Sequence, residues 1–112
     1  VRTVDELWHE RNRPTVCTIK IDVEGAEFDV LRGAESCIQA CHPAILVEWN
    51  IENLRAFGHS ESELLKFAST RGYDVFAMPN LNRTISEDHL RAQMEFGESF
   101  ALLPHNPRSM DA

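Results

Sequence analysis

Two short apolar runs constrain this chain more than any other feature. Val16-Cys17-Thr18-Ile19-Lys20-Ile21-Asp22 is rich in β-branched residues, and Ala44-Ile45-Leu46-Val47-Glu48-Trp49 is nearly all apolar between Pro43 and Asn50. Both read as strands. Neither alternates cleanly with polar residues, the pattern expected of strands covered on both faces. Between them, apolar residues recur at Phe28, Leu31, Ala34, Ile38 and Cys41, close to helical spacing. Strand, helix and strand in that order predict a right-handed crossover between parallel neighbours.

The flanking chain continues the alternation. Thr3-Val4-Asp5-Glu6 has the form of a capping box and predicts a short helix from Val4 to about Arg11. Gly33 falls inside the helical stretch and reads as either a costly interior glycine or a left-handed cap dividing two helices. Ile51 to Gly58 reads as loop or a short helix. Ser60-Glu61-Ser62-Glu63 is a second capping box, and Gly72 stands where a helix C-terminus wants its glycine. Tyr73 to Met78 and Ser99 to Leu103 read as further strands. Between them Leu81 to Gly97 is a polar excursion, with a helix capped by Ser86. The tail from Pro104 to Ala112 reads as frayed. The whole predicts one α/β domain of 112 residues with a mostly parallel sheet and an antiparallel final strand pair.

Composition removes several classes of function. The net charge is −7 and no basic cluster exists, so the chain lacks the cations that displace counterions from nucleic acid. No apolar run approaches the roughly 20 residues of a membrane helix, and no secretory leader is visible. A cytoplasmic location is expected. Cys17, Cys37 and Cys41 form neither a disulfide framework nor a thiol-rich metal set, and read as buried, reduced thiols. Asn82-Arg83-Thr84 is a glycosylation sequon best explained by chance without such a leader. The five histidines are scattered singly, and no Gly-x-Ser-x-Gly or phosphate-loop motif occurs.

Chemistry in an open parallel sheet lies beyond the carboxyl ends of the strands. Asp22 ends the first strand and Glu48 nearly ends the second, so neighbouring strands would bring the two carboxylates to one edge. Glu24 and Gly25 lie in the adjoining turn, and Trp49 and Asn50 follow Glu48. Asp22 and Glu48 can serve as a general base, as ligands of a hard cation such as Mg²⁺, or as hydrogen-bond partners of a substrate. Glu48 inside an apolar run is the sharper signal, because a carboxylate buried without a partner is costly. The structural alternative pairs it with Lys20 or Arg55. Glu27 and Asp29 read as the polar face of the helix, Trp8 as core, and Trp49, next to Glu48, as either core or pocket wall.

The run Ile19-Lys20-Ile21-Asp22-Val23-Glu24-Gly25-Ala26-Glu27, followed by Val30-Leu31-Arg32-Gly33-Ala34, closely resembles the signature of FkbM-type methyltransferases. Pro43 to Glu48 looks like that family's next strand, Thr3 to Leu7 resembles the segment before the signature, and Gly72-Tyr73 is similar to a later strand start. The resemblance implies the C-terminal portion of a Rossmann-like class I methyltransferase fold, its fourth to seventh strands. It implies transfer of a methyl group from S-adenosylmethionine to a hydroxyl oxygen of a small molecule, sugar or lipid. Asp22 and Glu48 would take the catalytic positions, with Glu24, Gly25, Trp49 and Asn50 binding substrate. The chain departs from the family in having no glycine-rich donor turn: nothing reads Gly-x-Gly-x-x-Gly. Residues 1–112 are thus expected to form a partial domain that transfers no methyl group alone. Two alternatives stand beside this: a non-catalytic α/β module that pairs with a second copy through its exposed first-strand edge, and, less favoured, a nucleotide hydrolase with an acid-ended strand.

Overall fold

In the computed structural model, which describes residues 2–22 and 26–105, six helices and five strands alternate. They are α1 (Val4–Glu10), β1 (Thr18–Ile21), α2 (Glu27–Arg32), α3 (Glu35–Cys41), β2 (Ala44–Glu48), α4 (Ile51–Ala56), α5 (Glu61–Thr70), β3 (Tyr73–Ala77), β4 (Asn82–Arg83), α6 (Glu87–Met94) and β5 (Ser99–Pro104). Most of the expected tail lies outside the described residues, but Pro104 closes β5.

The sheet order is β1-β2-β5-β3-β4. β1 and β2 are parallel, with Ile19 opposite Ile45 and Ile21 opposite Val47, as the crossover reading predicts. The expected antiparallel pairing of the last two expected strands is present between β3 and β5, but the sheet is not mostly parallel: β5 also pairs antiparallel with β2, and β4 pairs antiparallel with β3. The reason is where the excursion after β3 begins and ends. Ala77, at the end of β3, pairs with Phe100 near the start of β5, so the chain leaves and re-enters at one sheet edge and must run back. β5 therefore slots between β2 and β3, two strands that would otherwise be parallel neighbours.

Register separates the two faces. Ile19, Ile45, Leu102 and Val75 form one row and Ile21, Val47 and Phe100 the next. These side chains join Phe28, Leu31, Ile38, Leu54, Leu64, Phe67 and Leu90 from the helices in one core. The row between them, Lys20, Leu46, Ala101 and Phe76, points the other way. There Lys20 is exposed while Leu46 and Phe76 are half-buried, so β1 is not covered on both faces as its composition suggested.

Local signals set the helix ends. Thr3 Oγ1 accepts from the Glu6 amide at 3.1 Å and Glu6 returns the bond to the Thr3 amide at 2.9 Å. Ser60 and Glu63 close the second capping box, and Gly72 sits at φ +78° after α5. Gly33 does separate two helices, but at φ −74° it is not a left-handed cap. Its lack of a side chain admits α1 instead: a β-carbon there would lie 3.0 Å from Thr3 Cβ. The left-handed cap is His42, at φ 47°. Asp5 completes this junction by accepting from the Ser36 and Cys37 amides, each at 2.9 Å, at the otherwise uncapped start of α3.

Candidate functional site: an acidic cleft at the strand ends

Because β1 and β2 run parallel, the residue after Ile21 and the residue after Val47 leave the sheet at the same edge. Asp22 and Glu48 accordingly line one open cleft of about 400 Å³, together with Glu27, Asn50, Asn53 and Glu98. Asp22 is exposed and Glu48 half-buried. Trp49 is not in this cleft. The alternation that turns Glu48 to one face turns Trp49 to the other, where it is fully buried and meets Phe28 edge-on at 4.9 Å. Among the described residues its indole Nε1 has no hydrogen-bond partner. Glu24 and Gly25 lie outside the described residues.

A hydrogen-bond network ties the β2 end to the start of β5. Asn50 Oδ1 caps α4 by accepting from the amides of Glu52 (2.9 Å) and Asn53 (3.1 Å). Its Nδ2 donates to Glu98 Oε1 at 2.7 Å, which fixes the orientation of the amide. The Trp49 amide donates to the Glu98 carbonyl at 2.5 Å, carrying the β2–β5 ladder one step past the strand. Ser99 Oγ donates to Glu48 Oε1 at 3.2 Å. Glu48 Oε2 makes no hydrogen bond among the described residues, and neither Lys20 nor Arg55 forms an ion pair with Glu48. The structural alternative for Glu48 thus lacks its cation.

Sequence reasoning missed three members of this cleft. Glu27 is only 2% exposed, which corrects its assignment to a solvated helix face. The first turn of α2 abuts the strand ends, so its first residue faces inward rather than out. Asn53 was legible only as a residue one turn past the Asn50 cap. Glu98 carried no local signal at all: it arrives from the far end of the chain because β5 runs antiparallel beside β2.

Four carboxylates and two amides line the cleft, with no cation among its lining residues. Such a surface repels anions and offers acceptors to hydroxyl or ammonium groups. Among the described residues, no three His, Cys, Asp or Glu side chains converge as a metal site would require. The expectation that Asp22 and Glu48 hold Mg²⁺ therefore gains no support. No described helix is long and apolar enough to cross a membrane.

The fold is a mixed α/β domain with a five-stranded sheet and a polar cleft at the carboxyl ends of its two parallel-paired strands. The family model of the methyltransferase FkbM domain matches residues 1–75, which contain β1, β2 and all but two residues of the chain's approach through β3. The chain belongs to the FkbM methyltransferase family. No curated protein and no solved structure gives a match to it.

Proposed function

We propose that the cleft is the acceptor side of an S-adenosylmethionine-dependent O-methyltransferase with a Rossmann-like class I architecture. The observation that carries this reading is the convergence of Asp22, Glu48 and Asn50 in one cleft at the strand ends of an FkbM-family chain. The acceptor is a hydroxyl oxygen of a small molecule, sugar or lipid.

The residues present do not fit the methyl donor. Its sulfonium, ammonium and ribose hydroxyls could meet carboxylates, but its own carboxylate would find no cation among the cleft's lining residues. The sequence also has no glycine-rich turn of the Gly-x-Gly-x-x-Gly type to bring backbone amides to it. Residues 1–112 alone therefore transfer no methyl group.

What the chain supplies is the acceptor's environment. Glu48 Oε2 accepts the hydrogen of the acceptor hydroxyl and is the group placed to take its proton. Ser99 holds the other oxygen and so sets the rotamer of the carboxylate. Asp22, exposed at the mouth, binds a neighbouring hydroxyl. Asn50, locked between Glu98 and the α4 cap, keeps the loop after β2 in place. Positioning of this kind carries most of the rate advantage in a displacement between two bound partners.

The test begins with the coding sequence upstream of Val1. It is expected to continue into an apolar strand, a glycine-rich turn and a later acidic residue. In that longer protein, Glu48→Gln should lower methyl transfer from a labelled donor by about 10²–10⁴-fold, the usual worth of a general base. A start codon immediately before Val1, or full activity in Glu48→Gln, would overturn the reading.

A second reading rests on β1, which among the described residues pairs with β2 alone and stands at the edge of the sheet. A non-catalytic module would pair two copies through that edge. Sedimentation at increasing concentration distinguishes it: a dimer abolished by a proline at Lys20 supports the module, and a monomer throughout removes it.

A further inference from the structure

The acidic cleft does not end at Glu48. A second cavity of about 190 Å³, shared at Glu48, is lined by Leu46, Met78 and Phe100. A third, of about 280 Å³, shares Met78, Ser99 and Phe100 with the second and reaches Phe96. All three open along one sheet edge, because Glu48 ends β2, Met78 follows β3 and Ser99 opens β5 at the same level. The four carboxylates stop at Glu48; beyond it the apolar side chains are Leu46 and Met78 in the second cavity and Met78, Pro79 and Phe96 in the third, where they stand beside the carboxamides of Asn80, Asn82 and Gln93. At the far end Met78 is 37% exposed and Phe96 is 91% exposed. An aromatic ring so exposed beside a half-exposed methionine, on a rim continuous with a polar cleft, marks a contact surface rather than core.

We propose that this groove takes the apolar extension of the acceptor, and that Met78 and Phe96 are specificity-determining residues. The inference rests on the reading of the acidic cleft as the acceptor side. The ligand class that fits is an uncharged amphiphile: a hydroxylated head at Glu48 and an alkyl or prenyl chain lying over Leu46 toward Met78 and Phe96. Anionic heads are disfavoured by the four carboxylates of the cleft, which Lys20, lining the second cavity, does not balance. Methionine suits such a wall, since its unbranched thioether adapts to chains of different shape.

The test compares octyl β-glucoside, below its micelle concentration, with methyl β-glucoside. Binding is followed by calorimetry and by methionine-methyl NMR on the full chain. The octyl compound should bind at least about tenfold more tightly, which burial of only about two methylenes supplies. The Met78 methyl should shift with it alone. Met78→Ser with Phe96→Ser, with folding checked by thermal unfolding and Phe96→Ser alone as the fully exposed control, should remove the octyl advantage and leave methyl glucoside binding unchanged. Octyl sulfate should bind more weakly than octyl glucoside.

Equal affinities for the two glucosides, no binding of either, or an octyl advantage that survives the double variant would overturn the inference. So would loss of that advantage in Leu7→Ser, which would move the site to the apolar groove beside Trp8. Failure of the parent reading looks different. An intact octyl advantage without methyl transfer by the longer protein refutes the enzyme and spares the groove. Methyl transfer equally efficient with both glucosides spares the enzyme and refutes the groove.

Discussion

Tyr73 is the residue at which a single-atom change should be most informative. It opens β3, is 2% exposed, and donates its hydroxyl to the Pro43 carbonyl at 2.7 Å, joining residues 30 apart in sequence. Pro43 is itself fully buried and leads into β2. Tyr73→Phe keeps the ring and its stacking on His42 (centroids 6.0 Å apart) while removing the one side-chain donor to that carbonyl among the described residues. Leaving a buried acceptor unpaired costs about 1–3 kcal/mol. A loss near 1.5 kcal/mol corresponds to a melting-temperature drop of about 6–10 °C for a domain of this size. Denaturant unfolding at pH 8 measures it directly.

The same variant makes a second, independent demand. Burial pushes the Tyr73 hydroxyl up from its ordinary value to about 12, with the Cys37 and Cys41 thiols adding to the effect. A group whose folded pKa is raised stabilises fully below its unfolded pKa and loses that contribution as pH rises through the folded one. The unfolded chain ionises first, near pH 10, so this contribution is lost between about pH 10 and 12. The wild type should weaken through that window and Tyr73→Phe should weaken less. A variant within about 0.3 kcal/mol of wild type at pH 8, with the same alkaline slope, would refute the account.

Three further outcomes follow from the packing. Asp5→Ala removes both acceptors from the start of α3 and should cost about 1–2 kcal/mol, with faster amide exchange at Ser36 and Cys37. Gly33→Ala should cost about 1–3 kcal/mol by unfolding, because its methyl would press on Thr3 Cβ at 3.0 Å and part α1 from the α2–α3 junction. Thiol titration with a disulfide reagent at pH 8 should find exposed Cys17 reacting first and Cys37 silent until the protein unfolds. Burial, helped by the neighbouring Cys41 thiol, raises Cys37 to about 11, so almost none of it is thiolate at that pH.

The legibility of the site varied with how local its causes were. Asp22, Glu48 and Asn50 could be brought to one edge on paper because a parallel βαβ unit puts successive strand ends side by side. Trp49 followed them in the reading but not in the fold. A one-residue step along a strand reverses the side-chain direction, and the sequence did not show which face of β2 the helices would cover. Glu27 looked solvated because its helix has a polar face. It is buried because the start of α2 meets the strand ends, a tertiary fact.

The helix caps, the strand cores and the family were determined by the sequence alone, since each depends on residues within a few positions of one another. Thr3 with Glu6, Ser60 with Glu63, and the run from Ile19 to Glu27 need no distant partner to be recognised. Only the tertiary structure decided where β5 lies. Its position depends on where a 21-residue excursion, residues 78–98, returns to the sheet, and nothing within β5 encodes that distance. Yet that placement makes the sheet mostly antiparallel, brings Glu98 and Ser99 onto Asn50 and Glu48, and sets Met78 and Phe96 in line with the acidic cleft. Residue types were written locally, and their assembly into one groove came from a contact between chain segments some 50 residues apart.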